Sequence, residues 1–400
     1  MDRRTLLKTL AALPLASVGS LWAAPAARSK LLVVFLRGGY DAANLLVPVA
    51  SPFYYESRPN IAIPRPSTEL NSALALDADW GLHPALRDSI YPLYQNGQAA
   101  FIPFAGTDDM SRSHFETQDS IELGQPLIGN RNFSSGFLNR LAATLNGSSN
   151  GSRSASAIAF TDQLPLIMQG NAQIPNSALR SLAKPALDQH QSDIIATMYK
   201  GTPLERQVSE GFAVRNELAQ ELAGEMQAAS RNAITAKGFE LEARRIARLM
   251  KEKYSIGFVD VGGWDTHVGQ GASAGYLAGR FDELGRGLAA FGQEMGSDWN
   301  DTVVVVISEF GRTFKENGNR GTDHGHGTAY WVLGGSVHGG RVIGEQAKVD
   351  AASLNQKRDF PVLNEYRAVF GGLFARMYGL NGAQLERIFS GVAPRDIGLV

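Results

Sequence analysis

The sequence contains no cysteine among its 400 residues. This absence excludes disulfide bonds, thiolate metal ligands, a cysteine nucleophile and lipid attachment at a cysteine. An excess of charge of one sign is also lacking, because the formal net charge is −1 at pH 7. A chain so close to neutrality gives no reason to expect nucleic acid as a partner. Its 44% of hydrophobic residues is typical of a globular protein with a large core.

The first 27 residues have the pattern of an export signal rather than of a folded segment. Arg3 and Arg4 precede an apolar run over residues 10–22, and Ala24-Pro25-Ala26 is a small-x-small cleavage site. The paired arginines resemble a twin-arginine signal, with an ordinary secretory signal as the alternative. We therefore expect the twin-arginine export machinery as a partner and a periplasmic or secreted mature protein. The apolar run is too short to span a bilayer, so no stable membrane span is expected in the mature form.

Continuous apolar runs predict the strands of a buried parallel sheet. Residues 31–36 and 303–307 form such runs, and residues 255–260 are also predicted to be a strand. A helical pattern over residues 276–295 lies between this strand and residues 303–307. This strand–helix–strand order is typical of βαβ units. We predict a single α/β domain over residues 28–400, with a mostly parallel sheet and helices on both faces. Sparse glycine over about 176–252 indicates a helical insertion, whereas residues 48–66 are interpreted as a surface loop.

Potential metal ligands follow several of these predicted strands. Because ligands bind beyond the carboxyl ends of parallel strands, we expect these side chains to meet. The candidate metal ligands are Asp41, Asp265, His267, Glu309, Asp323, His324 and His326. Imidazole and carboxylate donors without thiolate favour zinc, with manganese, magnesium or calcium as the alternatives. For Asp41 the other interpretation is a cap of the next segment, and Asp265 orients His267 if it is not itself a ligand.

A Ser-His pair follows the predicted strand at residues 99–104. Ser113 and His114, with Arg112 beside them, are candidate catalytic residues that supply a nucleophile and an anion clamp. Alternatively, Ser113 caps the helix that begins at Phe115. Arg312, three residues after Glu309, is a second candidate for binding an anion.

Five motifs, in this order, resemble a bacterial exported family of about this length. It is the domain-of-unknown-function family 1501, in the alkaline phosphatase and sulfatase-like superfamily, and the resemblance covers essentially residues 30–395. The motifs are Leu36-Arg37-Gly38-Gly39-Tyr40-Asp41, Arg112-Ser113-His114-Phe115, Gly262-Gly263-Trp264-Asp265-Thr266-His267, Ser308-Glu309-Phe310-Gly311-Arg312 and Asp323-His324-Gly325-His326-Gly327. The resemblance implies an alkaline-phosphatase-like sheet and two metal ions about 4 Å apart, which clamp a phosphoryl or sulfuryl group.

The resemblance also implies roles for individual residues. Asp41 matches the ligand after the first strand, and Ser113 matches the nucleophile. Asp265 and His267 match ligands of the other ion, whose last ligand is His326 or His324.

One departure from the superfamily pattern concerns the second ion. Glu309-Phe310 stands where the superfamily has Asp-His, and the Phe310 ring cannot bind metal. Three alternatives follow from this departure. His324 or His114 fills the position, or oxygen ligands alone hold the second ion, or the second ion is missing.

Two function classes fit these features. The first is an exported metal-dependent hydrolase of phosphate or sulfate esters, acting on a small-molecule or glycan substrate with Ser113 as nucleophile. The second is a non-catalytic envelope protein that binds a glycan or a protein partner and keeps a structural metal. The Asp-His-Gly-His loop favours the first class and Phe310 the second. A sulfatase of the formylglycine type is disfavoured because there is no cysteine.

Overall fold

A computed structural model describes residues 29–147, 155–177, 202, 234–235 and 238–400. The export signal predicted over residues 1–27 and most of the insertion predicted over about 176–252 lie outside these residues. Both therefore stay predictions. Within the described ranges, no helix has the length and apolar character needed to cross a membrane.

The described residues form a central sheet, a small second sheet and surrounding helices. The strands are β1 (Lys30–Leu36), β2 (Leu46–Val47), β3 (Leu74–Ala75), β4 (Gly81–Leu82), β5 (Ala99–Gly106), β6 (Ala157–Ala159), β7 (Ile234–Thr235), β8 (Ile256–Gly262), β9 (Thr302–Ser308), β10 (Thr328–Leu333), β11 (Arg341–Val342) and β12 (Asn364–Glu365). The helices are α1 (Ala42–Leu45), α2 (Pro52–Ser57), α3 (Ile90–Gln95), α4 (His114–Leu123), α5 (Phe137–Asn146), α6 (Phe239–Glu252), α7 (Tyr276–Met295), α8 (Tyr366–Tyr378) and α9 (Gly382–Ile388).

The central sheet follows the order β11-β5-β10-β9-β1-β8-β6. β1 lies between β8 and β9 and pairs with both in parallel, while β10 runs antiparallel to β5 and β9. Every residue of β9 is buried, as expected for a valine-rich strand that is covered on both faces. The predicted mostly parallel sheet is confirmed.

Helices cover both faces of this sheet. Leu32 and Val34 of β1 belong to a core cluster that includes residues of α6 and α7. The alternate residues Leu31 and Val33 belong to a second cluster that includes residues of α5 and α8. Because side chains alternate along a strand, β1 contributes to both layers. The predicted α/β fold with helices on both faces is therefore confirmed.

The segment over residues 48–66 is not the surface loop that its composition predicts. Ser51 accepts a hydrogen bond from the Tyr54 backbone N–H at 3.3 Å and caps α2, whose first residue is Pro52. Tyr54 and Arg58 are both fully buried. The prediction was wrong because polar and aromatic residues here pack inward and form hydrogen bonds with distant parts of the chain.

The strand directions bring five loops to one edge of the sheet. Leu36, the last residue of β1, pairs with Val261 of β8 and Ser308 of β9, so the three strands end together. β5 runs in the same direction as β9, because both are antiparallel to β10. The carboxyl end of β5 and the amino end of β10 therefore lie at this edge too. The loops that carry the candidate site residues all leave or enter here.

Candidate metal centre

Three imidazoles and one carboxylate meet at this edge of the sheet. Nε2 of His324 lies 3.0 Å from Nε2 of His114 and 3.1 Å from Nε2 of His267. Asp265 Oδ2 lies 3.6 Å from His114 Nε2, and Asp265 Oδ1 lies 2.9 Å from His267 Nε2. Ligand atoms of His114, Asp265 and His324 all lie within 4.8 Å of one another. We call His114, Asp265, His267 and His324 the imidazole cluster.

An oxygen atom holds the other nitrogen of each imidazole. Nδ1 of His114 lies 2.8 Å from Glu309 Oε1, and Nδ1 of His267 lies 3.2 Å from Asp323 Oδ1. Nδ1 of His324 lies 3.1 Å from the backbone oxygen of Arg112. These oxygens can only accept, so in neutral imidazoles the proton resides on Nδ1 and the lone pair on Nε2. Three lone pairs and a carboxylate then face one another, which is the arrangement of metal-bound histidines and their hydrogen-bond partners.

The distances within the cluster fit a divalent cation. Ligand nitrogens about 2.0–2.1 Å from a tetrahedral zinc ion are about 3.3 Å apart. The Nε2 atoms of the cluster are separated by 3.0 and 3.1 Å. Imidazole with one carboxylate is also a donor set that zinc accepts. Of the chain's own residues, His114, Asp265 and His324 therefore fit one divalent ion at this position, with His267 beside His324.

Electrostatic interactions keep the cluster carboxylate ionised. Burial raises the pKa of Asp265, but hydrogen bonds from the imidazoles of His114, His267 and His324 when Nε2 is protonated, together with the charge of Arg312, hold that pKa well below its usual range. Burial lowers the pKa of His114, yet its hydrogen bonds to Asp265 and Glu309 raise the pKa to about 9. The carboxylates therefore strongly favour positive charge among the imidazoles, and a bound cation would supply it.

Glu309 lies behind His114 rather than inside the cluster. Its side chain is fully buried, and Oε1 accepts hydrogen bonds from the Gly38 N–H at 2.7 Å and Gln118 Nε2 at 2.9 Å. Burial raises its pKa, but the interactions with His114 and Gln118 lower it to about 2. Glycine is required at position 38, because a Cβ atom there would lie 2.7 Å from the Asp265 backbone nitrogen. Glu309 thus orients a candidate ligand.

Asp323 and His326 also lie outside the cluster. Asp323 has a side chain 52% exposed and holds His267 through Nδ1. It also accepts a hydrogen bond from Asn317 Nδ2 at 3.1 Å. His326 is buried, and burial lowers its pKa, while its electrostatic interactions are with residues that include Asp359 and Arg112. Of the two histidines in the Asp-His-Gly-His loop, only His324 reaches the cluster.

Asp41 forms a buried ion pair with Arg58 instead of joining the cluster. Arg58 Nη1 lies 2.5 Å from Asp41 Oδ2, and Nη2 lies 3.0 Å from Oδ1. Gln270 Nε2 donates a further hydrogen bond to Oδ2 at 2.6 Å. Asp41 occupies the N-cap position of α1, yet among the described residues its side chain makes no capping hydrogen bond. Neither sequence interpretation of Asp41 included the arginine.

The two candidate anion-binding arginines are largely engaged with the protein. Arg312 is buried, and its guanidinium donates hydrogen bonds to backbone oxygens of Gly38 and Thr322 and to Asp265. Its Nη1 also lies 3.4 Å from His267 Nε2. Arg112 pairs with the buried Asp359 at 3.0 Å. Its backbone has a φ of +54°, in the left-handed region. That conformation accompanies the contact between the Arg112 carbonyl and His324 Nδ1.

Ser113 is the N-cap residue of α4. Its Oγ accepts a hydrogen bond from the Glu116 N–H at 3.5 Å, and the helix begins at His114. The capping interpretation thus agrees with the local geometry. The catalytic role of Ser113 stays a prediction.

Family membership follows from a comparison of the sequence with family profiles. The profile of the family described as "Protein of unknown function (DUF1501)" matches residues 28–389. The chain belongs to this family. The family expected from the five motifs is therefore confirmed. A search among curated proteins found no match to the sequence.

Several solved structures are similar to this member of the DUF1501 family. Ps i-CgsB in complex with k-i-k-neocarrahexaose is 10% identical, with a TM-score of 0.41, over 89% of this chain and 74% of that chain. Ps i-CgsB is also matched in a second structure, at 9% identity and a TM-score of 0.38. A protein in the alkaline phosphatase superfamily from Vibrio parahaemolyticus is 14% identical, with a TM-score of 0.33, over 77% of this chain and 60% of that chain.

Phe310 forms an apolar wall beside the cluster of this DUF1501 protein. The ring is 1% exposed, and its centroid lies 4.9 Å from that of His114 and 5.1 Å from that of His324. A Cβ atom at Gly39 would lie 2.4 Å from the Phe310 ring. The aromatic ring therefore fills the space between Gly39 and two candidate ligands.

Sequence reasoning missed three residues that organise the site. Arg58 neutralises Asp41, and Gln270 donates to the same carboxylate. Gln118 links Glu309 to Arg37, whose Nη1 donates to Gln118 Oε1 at 2.8 Å. Gln118 lies four residues after His114 on α4, a spacing that would place both side chains on one helix face. Arg58 and Gln270 carry no comparable signal in their local sequence.

Proposed function

We propose that the protein is an exported, metal-dependent hydrolase of phosphate or sulfate esters. The observation that carries the proposal is the imidazole cluster, in which each Nδ1 is held by an oxygen and His324 Nε2 lies 3.0 Å from that of His114 and 3.1 Å from that of His267. Zinc is the expected ion, because imidazole nitrogens dominate the donor set.

His114, Asp265 and His324 would hold the ion, and His267 would be the fourth ligand. A bound divalent cation would supply Lewis acidity to an ester oxygen. Glu309 and Asp323 orient His114 and His267 through their Nδ1 atoms.

Substrate would approach the cluster from the side of His267. Side-chain exposure rises from 9% at His114 to 28% at His324 and 41% at His267. The opposite side is closed by Phe310 and by the buried Glu309. An ester at the open side would meet the ligands while water is excluded from the buried side.

Ser113 is the candidate nucleophile because it immediately precedes His114 at the amino end of α4. The unpaired N–H groups and the dipole at a helix amino end favour negative charge on a nearby oxygen. Such an environment would help Oγ to lose its proton.

The Ser113→Ala variant tests this role. With the wild type active on an aryl phosphate monoester, an aryl phosphate diester or an aryl sulfate, the variant is expected to lose about 10³-fold or more in rate. Assays would include zinc, manganese or calcium. Ser51→Ala is the matched control, since Ser51 also caps a helix, accepting from the Tyr54 N–H at 3.3 Å, and has no proposed catalytic role. Full activity in Ser113→Ala, with only about 1 kcal/mol of stability lost, would show that Ser113 acts as a helix cap and not as the nucleophile.

A non-catalytic envelope protein with a structural metal is the second candidate function. It is favoured by the hydrogen bond that already engages Ser113 as a cap and by the buried Phe310 ring. Zinc binding without turnover of any ester in the panel would support this candidate and contradict the hydrolase.

A further inference from the structure

The Asp41 carboxylate already has a cation. Both of its oxygens accept hydrogen bonds from the Arg58 guanidinium, and Gln270 supplies a third bond. Asp41 and Arg58 are 1% and 0% exposed. Separating this pair would leave a buried charge without a partner, which is strongly unfavourable.

Arg58 is fixed in place by more than Asp41. Its remaining donors reach the backbone oxygens of Phe314 and Thr313 and the side-chain oxygen of Asn44. Its guanidinium also lies 5.5 Å from the Phe314 ring centroid. With every N–H of the guanidinium used, a rotation that freed Asp41 would break several buried hydrogen bonds at once.

The charges around the site balance with one divalent ion. The carboxylates of Asp41, Asp265, Glu309 and Asp323 lie in the same group of loops as the guanidiniums of Arg58 and Arg312. Four negative charges, two guanidiniums and one divalent cation sum to zero. A second divalent cation would add two positive charges without partners beside Asp41, Arg58 and Arg312, which are all buried, and uncompensated buried charge is costly.

We propose that the centre holds one divalent cation and that Arg58 stands in place of a second one, so that singly charged esters are its substrates. The inference rests on the proposed metal-dependent hydrolase, and it differs from the two ions that the sequence resemblance implies. Phe310 supports it, because an apolar ring occupies the position next to Glu309 and packs on both His114 and His324.

The substrate class follows from the same charges. With one ion bound, the site is neutral before substrate enters, and the guanidiniums of Arg58 and Arg312 already donate to protein oxygens. A sulfate monoester or a phosphate diester brings one negative charge, whereas a fully ionised phosphate monoester brings two. The second charge would lack a partner, and uncompensated charge in a poorly solvated site is unfavourable.

Native mass spectrometry of the full mature chain, reconstituted with excess zinc and then dialysed, counts the ions directly. One zinc per chain is expected for the wild type, none for His324→Ala and one for Asp41→Asn. Two zinc ions in the wild type, or loss of zinc from Asp41→Asn, would overturn the inference. No zinc in the wild type would contradict both this inference and the proposed function.

An ester panel on the same zinc-loaded protein tests the substrate class. The kcat/KM for an aryl sulfate or an aryl phosphate diester is expected to exceed that for the phosphate monoester by more than about tenfold. Preference for the monoester would overturn the substrate part of the inference. One zinc without turnover of any ester would support the single-ion centre and contradict the hydrolase, so the two failures are distinguishable.

Discussion

Asp41 and Asp265 follow two neighbouring parallel strands at the same edge of the sheet, yet they have opposite surroundings. Asp41 is buried against Arg58, with both oxygens engaged by the guanidinium. Asp265 has a side chain 26% exposed and lies near three imidazoles whose other nitrogens are already held. Each carboxylate has an arginine partner, Arg58 for Asp41 and Arg312 for Asp265. Only Asp265 also lies among imidazoles, so the neighbouring imidazoles, rather than the nearest fixed charge, distinguish the carboxylate that can hold an ion.

Removing two cluster ligands gives the largest expected effect. The double variant Asp265→Ala/His267→Ala is expected to lose stoichiometric metal, because too few donors remain to hold a zinc ion. Elemental analysis of protein purified without chelator measures this loss. His338→Ala, which changes an exposed histidine outside the cluster, should keep its metal. Stoichiometric metal in the double variant would show that the metal binds at a different site.

Removing the charge partner of Asp41 should lower the stability of the protein. Arg58→Met leaves the buried Asp41 without its charge partner, which is expected to lower the free energy of unfolding by about 3–5 kcal/mol. Urea denaturation of the metal-free protein measures the change. The exposed Arg65, which lies over the Tyr55 ring, provides the control Arg65→Met, with an expected cost of about 1 kcal/mol or less. Equal stability of the two variants would mean that Asp41 does not depend on Arg58.

Substitution of the carboxylates that contact the imidazole Nδ1 atoms should have smaller effects on metal affinity. Glu309→Gln is expected to weaken zinc binding by about 10–100-fold, because His114 loses its anionic hydrogen-bond acceptor. Asp323→Asn should weaken binding less, since Asp323 is half exposed and water can replace its contact with His267. Competition with a chromogenic chelator gives both affinities. The reverse order would indicate that His267, rather than His114, dominates the affinity.

The sequence predicted the sheet and much of the cluster for a physical reason. Continuous apolar runs identify strands that are buried on both faces, and parallel strands carry the residues that follow them to one edge. On this basis all seven candidate ligands were expected together. Asp265, His267 and His324 are in contact, whereas Asp41, Glu309, Asp323 and His326 lie outside the cluster. His114 was named as a catalytic residue and as one way to fill the position of Phe310, and it lies in the cluster.

The partners of Asp41 and Glu309 could not be predicted in the same way. Arg58 lies in a segment without a clear periodic pattern, and its contacts with Thr313 and Phe314 join parts of the chain more than 250 residues apart. Glu309 follows its strand as expected. Its burial, however, depends on α4, whose Gln118 donates a hydrogen bond to it. The local sequence indicates where a strand ends, but it does not indicate which distant residue pairs with the carboxylate that follows.

Anomalous diffraction from a zinc-loaded crystal, recorded on both sides of the zinc absorption edge, tests the central claim most directly. We expect one peak in the space shared by the imidazole cluster, about 2.0–2.1 Å from Nε2 of His114 and of His324. We also expect the Asp41–Arg58 pair to be intact in the same crystal. A zinc peak at Asp41, or a cluster without a peak at saturating zinc, would contradict the assignment of the metal to Asp265 and the three imidazoles.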